Sequence, residues 1–192
     1  MRWPWQKSAK QVDTTTVMPR LKTPGFVMAT MNLPHDQRPI AIPFVGDLLV
    51  AYAVDEGEHF RYLTRAEVDA MPNGESGLQA LAVDNLADFI QRPDHLKLEN
   101  VDGSLTRATI PDGLTASLLL VDDFWKHGLE RIGPVAAIVP SRDELWFGPA
   151  TTEGNVERLA KLVSEREFGH THALVPHLLN YSSKGWEAYQ IG

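Results

Sequence analysis

Three histidines near the C-terminal end of the chain have a spacing that suits a metal site. His170, His172 and His177 form the pattern G-H-T-H-x4-H, and neutral imidazoles are ligands for zinc, nickel and copper. Two histidines at positions i and i+2 point the same way only on an extended chain. The pattern predicts either a transition-metal site, which would serve a small metal-assisted hydrolase, or a hydrophilic turn before a final hairpin.

A charged pair, Arg142 and Asp143, follows Pro140 and Ser141. A guanidinium group binds carboxylate or phosphate through two parallel hydrogen bonds. The pair is therefore a candidate binding site at a surface, and its alternative interpretation is a polar hairpin turn between two strands.

Two adjacent aspartates precede an aromatic residue at the start of a predicted helix. Two carboxylates can divide acid and base roles, but adjacent carboxylates at a helix start more commonly cap the helix and interact with its dipole. We interpret Asp122 and Asp123 as such capping residues. Trp125 is a candidate anchor for a partner, because aromatic side chains often dominate binding surfaces.

Asn85 is a polar residue within an apolar stripe. It lies seven residues after Leu78 and four before Phe89 on a predicted helix, so a 3.6-residue period places it among the buried positions. A buried amide needs hydrogen-bond partners. Asn85 therefore either ties the helix to a neighbouring segment or contacts a ligand in a cleft.

The elements that would position these residues predict an α+β fold, with mostly antiparallel strands in one or two sheets and about three or four packed helices. Thr64 and Glu67 form a capping box before a short helix, and Asp102-Gly103 is a hairpin signal. Further helices are predicted at 75–91, after Asp122 and at 153–168. Strands are predicted at 48–54, 59–63, 117–121, 135–139 and 144–147, with plausible edge strands in 25–43.

The chain divides into three predicted regions. Residues 1–24 are polar and interrupted by prolines, which predicts a poorly ordered lead-in. Residues 25–111 and 112–192 would then form N-terminal and C-terminal α+β lobes. Lobes of that size are marginally stable alone, so we expect them to pack as one compact unit.

Composition limits the classes of function. The 25 acidic and 18 basic residues give a formal net charge of −7, which disfavours nucleic acid and anionic membrane surfaces as partners. The absence of cysteine excludes a disulfide framework and a cysteine nucleophile. No apolar run approaches the ~20 residues of a membrane span, and the first residues lack the apolar core of a secretory signal. The expected location is the cytoplasm.

Three segments carry a resemblance to a known family. They are DLLVAYAVDEGEHFRYLTRAEVD followed by LQALAVDNL, ASLLLVDDFWKHGLERIGPVAAIVPSRDELWFG, and HALVPHLLNYSSKGWEAY. Together they resemble the YtpQ-like bacterial proteins over most of residues 44–190. The resemblance implies a cytoplasmic bacterial α+β protein, in a family whose activity is not assigned and which supplies no catalytic residues.

No set of residues matches a known catalytic motif, since the phosphate-binding and serine-hydrolase signatures are absent. The leading hypothesis is therefore a binding or protein-interaction module without catalysis or cofactor. The alternative is the metal-assisted hydrolase that uses His170, His172 and His177. A third interpretation is self-association through an exposed strand edge.

Overall fold

A computed structural model describes residues 12–57, 59–166 and 172–189. It confirms the α+β prediction, because helices pack on sheets in which every strand pair is antiparallel. The α-helices are α1 (Pro24–Thr30), α2 (Arg65–Asp69), α3 (Gly74–Ile90), α4 (Asp122–Ile132) and α5 (Asn155–Ser164). The strands are β1 (Val17–Lys22), β2 (Ala41–Val45), β3 (Leu48–Asp55), β4 (Phe60–Tyr62), β5 (Lys97–Asn100), β6 (Thr106–Thr109), β7 (Val135–Ser141), β8 (Glu144–Pro149), β9 (Leu178–Ser182) and β10 (Gly185–Ala188).

The smaller sheet has the order β1-β3-β2, and β4 also pairs with β3. The predicted lead-in over 1–24 is wrong where it includes β1, because five of the six residues of this strand are buried. The sequence pattern did not predict this strand, because the strand contains a proline and an arginine and its residues do not alternate in polarity. Residues 1–11 lie outside the described part of the chain.

The larger sheet has six strands in the order β10-β9-β7-β8-β6-β5. Its central strand, β7, is buried along its whole length, as expected of a strand covered on both faces. Val135 and Val139 join the main core, whereas Ala136 and Ile138 join a second cluster under α5. Alternate side chains of β7 therefore contribute to two cores.

A buried 3-10 helix, Thr115–Leu120, lies between the sheets and contacts β1 and β8. The prediction of a strand at 117–121 is wrong. All six residues of this helix are buried, and a short, continuously apolar run does not reveal its periodicity.

One continuous core joins the two sheets. Tyr52 of the smaller sheet and Tyr181 of the larger sheet belong to the same buried cluster. The capping box of Thr64 and Glu67 is confirmed at the start of α2. In the described part of the chain, no helix has the length and apolar character to cross a membrane.

Candidate functional site

A cleft of about 660 Å³ opens where the smaller sheet meets the turns of the larger one. Its walls come from the end of β1, from α1, from the β7–β8 turn and from the segment after His172. The residues that line it are Leu21, Lys22, Thr23, Pro24, Gly25, Phe26, Ala29, Asp47, Arg142, His172, Ala173, Leu174, Val175 and Pro176. The lining is mostly apolar with a few charged groups, which is typical of a binding cleft.

The helix α1 forms one wall of this cleft. Pro24 stands at its first position, where proline is favoured because its fixed φ suits a helix and its missing N–H is not needed. The prediction of strands in 25–43 is therefore wrong for this helix and correct only for β2. Phe26 and Ala29 face the cleft.

The other side of α1 is apolar and exposed. No residue of the helix is buried. Met28 and Met31 are 68% and 57% exposed, and Val27 and Leu33 are also exposed. Residues three and four apart share a helix face, so Met31 is a neighbour of Val27 and Met28. We call Val27, Met28, Met31 and Leu33 the α1 face.

Two basic side chains lie near α1, one on its cleft side and one at its C-terminal end. The Lys22 ammonium lies 5.0 Å from the ring centre of Tyr62 and 5.3 Å from that of Phe26, within the range of cation–π attraction. Arg38 donates hydrogen bonds to the carbonyl oxygens of Met31 (2.8 Å) and Leu33 (2.9 Å). Arg38 therefore fixes the turn that presents the end of the α1 face.

The predicted pair Arg142 and Asp143 lies at the β7–β8 turn, and Arg142 lines the cleft. The N–H of Arg142 donates to the carbonyl of His172, and its carbonyl accepts from the N–H of Ala116, both at 3.0 Å. Its Nε lies 3.2 Å from Asp143 Oδ2. The two backbone hydrogen bonds hold the turn from both sides, so they fix the position of the Arg142 backbone from which the side chain extends.

A second arginine, Arg20, lies buried near Arg142 and is only 4% exposed. Its guanidinium stacks 3.6 Å from the ring centre of Phe60 and donates to the carbonyl of Asp112 at 2.6 Å. Among the described residues it has no carboxylate within ion-pairing distance, and its Nε has no hydrogen-bond partner. Burial lowers the pKa of Arg20, and the positive charge of Arg142 lowers it too, while Tyr62, Asp112 and Asp143 act in the opposite direction.

The cleft and its rim therefore combine apolar surface with positive charge. Lys22, Arg38 and Arg142 surround the α1 face or line the cleft, while Asp47 is the acidic residue of the lining. With Asp143, which pairs with Arg142, these named groups still carry a small excess of positive charge, whereas the whole chain is acidic. Chemically, the surface suits a ligand that carries carboxylates beside apolar groups.

Two other candidates from the sequence lie elsewhere and have structural roles. Asn85 donates to the carbonyls of Thr14 (2.8 Å) and Val17 (2.9 Å), so it ties α3 to the start of β1. Trp125 is only 1% exposed and donates from its indole N–H to Leu118 O at 2.7 Å. A side chain so deeply buried contacts no partner, which corrects its assignment as a surface anchor.

The histidine candidates are not brought together in the described part of the chain. His172 lines the cleft beside Arg142, whereas His177 lines another cavity under α5 and packs against Gly46. His170 lies outside the described residues. Within the described residues, no group of three histidine, cysteine or acidic side chains is placed to hold a metal ion.

Sequence reasoning identified Arg142 and His172 but missed α1, Lys22 and Arg20. A usable signal was present in Thr23-Pro24, which begins a helix, followed by the apolar run FVMATM. Arg20 gave no local signal, since an arginine in a strand is ordinarily exposed.

No protein-family model, no curated protein and no solved structure matches this chain. The resemblance to the YtpQ-like proteins stays a prediction.

Proposed function

We propose that the protein is a non-catalytic interaction module that binds an acidic, amphipathic segment of a partner protein. The observation that carries this proposal is α1, a helix without a buried residue, whose exposed side is formed by Val27 and Met28 and continued by Met31 at its C-cap. A short helix gains most of its stability from packing. An apolar helix face that packs on nothing within the described chain is therefore well suited to pack on a partner.

Methionine supports this use of the surface. Its side chain is unbranched and polarisable, so it adapts to apolar partners of different shape. Met28 lies on α1 and Met31 directly follows the helix, and both are more than half exposed. Clustered apolar exposure of this kind marks interaction sites more often than isolated exposed residues do.

The basic side chains near the α1 face and in the cleft favour an acidic partner. Lys22 and Arg142 line the cleft, and Arg38 lies at the end of α1. Arg142 pairs with Asp143 through Nε only, which leaves its other N–H groups for a second carboxylate, and Arg20 adds positive charge nearby. Burial and the positive charge of Arg142 disfavour the charged form of Arg20, while Tyr62, Asp112 and Asp143 favour it. A carboxylate bound at Arg142 would add negative charge near both guanidinium groups, beside that of Asp143.

The metal-assisted hydrolase is the competing proposal, and it places the function at the histidines. The two proposals predict different consequences of changing Arg142 and His177, because His177 lies in a separate cavity. Binding of acidic peptides should depend on Arg142 and not on His177.

The test uses short fluorescent peptides of three compositions and measures their anisotropy with the purified protein. The peptides combine glutamate with leucine, lysine with leucine, or glutamate with serine. We expect binding only of the glutamate–leucine peptide, since it alone supplies both kinds of contact. Arg142→Gln should weaken that binding by about 10- to 150-fold, the equivalent of one lost charged hydrogen bond.

Matched variants distinguish this surface from others on the chain. Met28→Gln should weaken binding, whereas Leu98→Gln removes another apolar residue that is more than half exposed, on β5, and should not. Arg65→Gln removes an arginine that pairs with Glu75 and serves as the control for Arg142. Equal binding by all variants, or equal binding of all three peptides, would refute the proposal.

A further inference from the structure

The two ends of the six-stranded sheet differ in what covers them. At one end, β10 lies against β2, and Ala188 is close to the turn at Gly46. At the other end, all four residues of β5 are exposed, and the side chain of Leu98 is 51% exposed. No strand among the described residues pairs with the outer edge of β5, so this edge presents backbone groups next to an apolar side chain and is a template for pairing with another strand.

The hydrogen-bonding pattern between β5 and β6 determines which backbone groups of β5 have no partner on β6. Val101 donates its N–H to Leu105 O at 2.9 Å, in the same register that pairs β5 with β6. Hydrogen-bonded and non-hydrogen-bonded pairs alternate in an antiparallel ladder. Lys97 and Glu99 therefore bond to β6, and Leu98 and Asn100 direct their N–H and C=O groups to the open edge.

The side chains of β5 fall on two faces. Leu98 is paired with the buried Ala108, so it lies on a core-facing side at the margin of the sheet. Lys97 and Glu99 lie on the opposite face, because successive side chains of a strand alternate. A lysine on an edge strand ordinarily prevents pairing between edges, but here a glutamate follows two residues later.

We infer that β5 of this chain pairs antiparallel with β5 of a second copy, with Leu98 opposite Leu98 at the two-fold axis. In this register each Lys97 lies opposite Glu99 of the other copy, in the non-hydrogen-bonded pairs where side chains are closest. The two Leu98 side chains cover each other. The two sheets then form one continuous sheet, as in other symmetric dimers whose interface is self-complementary.

The charges select this register over its neighbours. The free backbone groups allow only shifts of two residues. A shift one way places Lys97 opposite Lys97, and a shift the other way places Glu99 opposite Glu99. Like charges directly opposite each other destabilise a strand pair. A one-residue shift loses the hydrogen bonds and reverses the faces.

The pairing involves a short strand, so we expect a dimer that dissociates on dilution. Sedimentation velocity from micromolar to near-millimolar concentration measures it directly. Lys97→Glu alone and Glu99→Lys alone should each give monomers, because like charges then meet across the axis. The double variant should dimerise like the parent. An equimolar mixture of the two single variants should form heterodimers, since their charges are complementary.

Circular dichroism of each variant confirms that it folds, as expected for exposed residues. A parent chain that stays monomeric throughout this range would overturn the inference. So would a dimer that both single variants retain, because it would use another surface. Peptide binding at the cleft is independent of this result, since β5 contributes no residue to the cleft.

Discussion

Replacing Trp125 with phenylalanine removes a hydrogen bond in the centre of the molecule. The indole N–H of Trp125 donates to Leu118 O in the buried 3-10 helix, and that carbonyl also accepts from the N–H of Val121 at 3.1 Å. The carbonyl therefore keeps one partner, and the loss of the bond costs about 1 kcal/mol.

The smaller ring adds a packing cost. The ring of Trp125 lies 5.0 Å from Phe147 and 4.8 Å from Trp186, centre to centre. Complete removal of a buried aromatic side chain costs about 3–5 kcal/mol, and phenylalanine retains a large part of that volume, so we assign about 1–2 kcal/mol to packing. The total loss is about 2–3 kcal/mol, which lowers the Tm of a chain this size by roughly 4–12 °C.

The matched control is Trp146→Phe. The indole N–H of Trp146 is buried, and no partner for it exists in the described part of the chain. Its removal relieves an unsatisfied donor that costs about 1–3 kcal/mol, which offsets the lost apolar contact. Urea unfolding of both variants should show a loss at Trp125 and a change within about 1 kcal/mol at Trp146. Equal losses at the two positions would refute the reasoning.

Three other substitutions have defined outcomes. Asn85→Leu should cost about 1–3 kcal/mol of unfolding free energy, measured in urea, because two backbone carbonyls lose their donor; an unchanged midpoint would contradict this. Gly113→Ala should lower both stability and peptide binding, since φ is +65° and the new Cβ would lie 2.9 Å from Arg142 Nε. Asp122→Asn should destabilise the protein slightly at neutral pH, by less than about 1 kcal/mol at this half-exposed site. Hydrogen bonds from Lys126 and Tyr181 lower the folded-state pKa of Asp122, so its stabilising effect is present above the unfolded value of about 3.9 and is lost as the pH falls through the folded value. The stability of variant and parent should therefore converge in acid, and a difference that persists there would contradict the assignment.

Elements with local signals were predictable from the sequence. The capping box at Thr64 predicted the start of α2, and Asp102-Gly103 predicted the turn between β5 and β6. These signals act through backbone geometry and nearby hydrogen bonds, so they do not depend on the rest of the fold.

Elements defined by tertiary burial were not predictable in the same way. The strand β1 contains Arg20, whose burial depends on Phe60 and on the carbonyl of Asp112, both distant in the sequence. The 3-10 helix Thr115–Leu120 is buried on all sides, so its sequence shows no helical alternation of polar and apolar residues. The candidate site was only partly predictable for the same reason. The sequence indicated Arg142 as a ligand-binding residue, but only the fold shows that Arg142 and α1 line the same cleft.

The most direct test of the binding proposal is a charge reversal at Arg142. Fluorescence anisotropy would compare the glutamate–leucine and lysine–leucine peptides on the parent and on Arg142→Glu, at low and at high salt. The parent should bind the acidic peptide, with weaker binding at high salt because the rim charges are screened. The variant should lose the acidic peptide and gain affinity for the basic one. Retention of the acidic peptide by the variant at both salt concentrations would contradict the account.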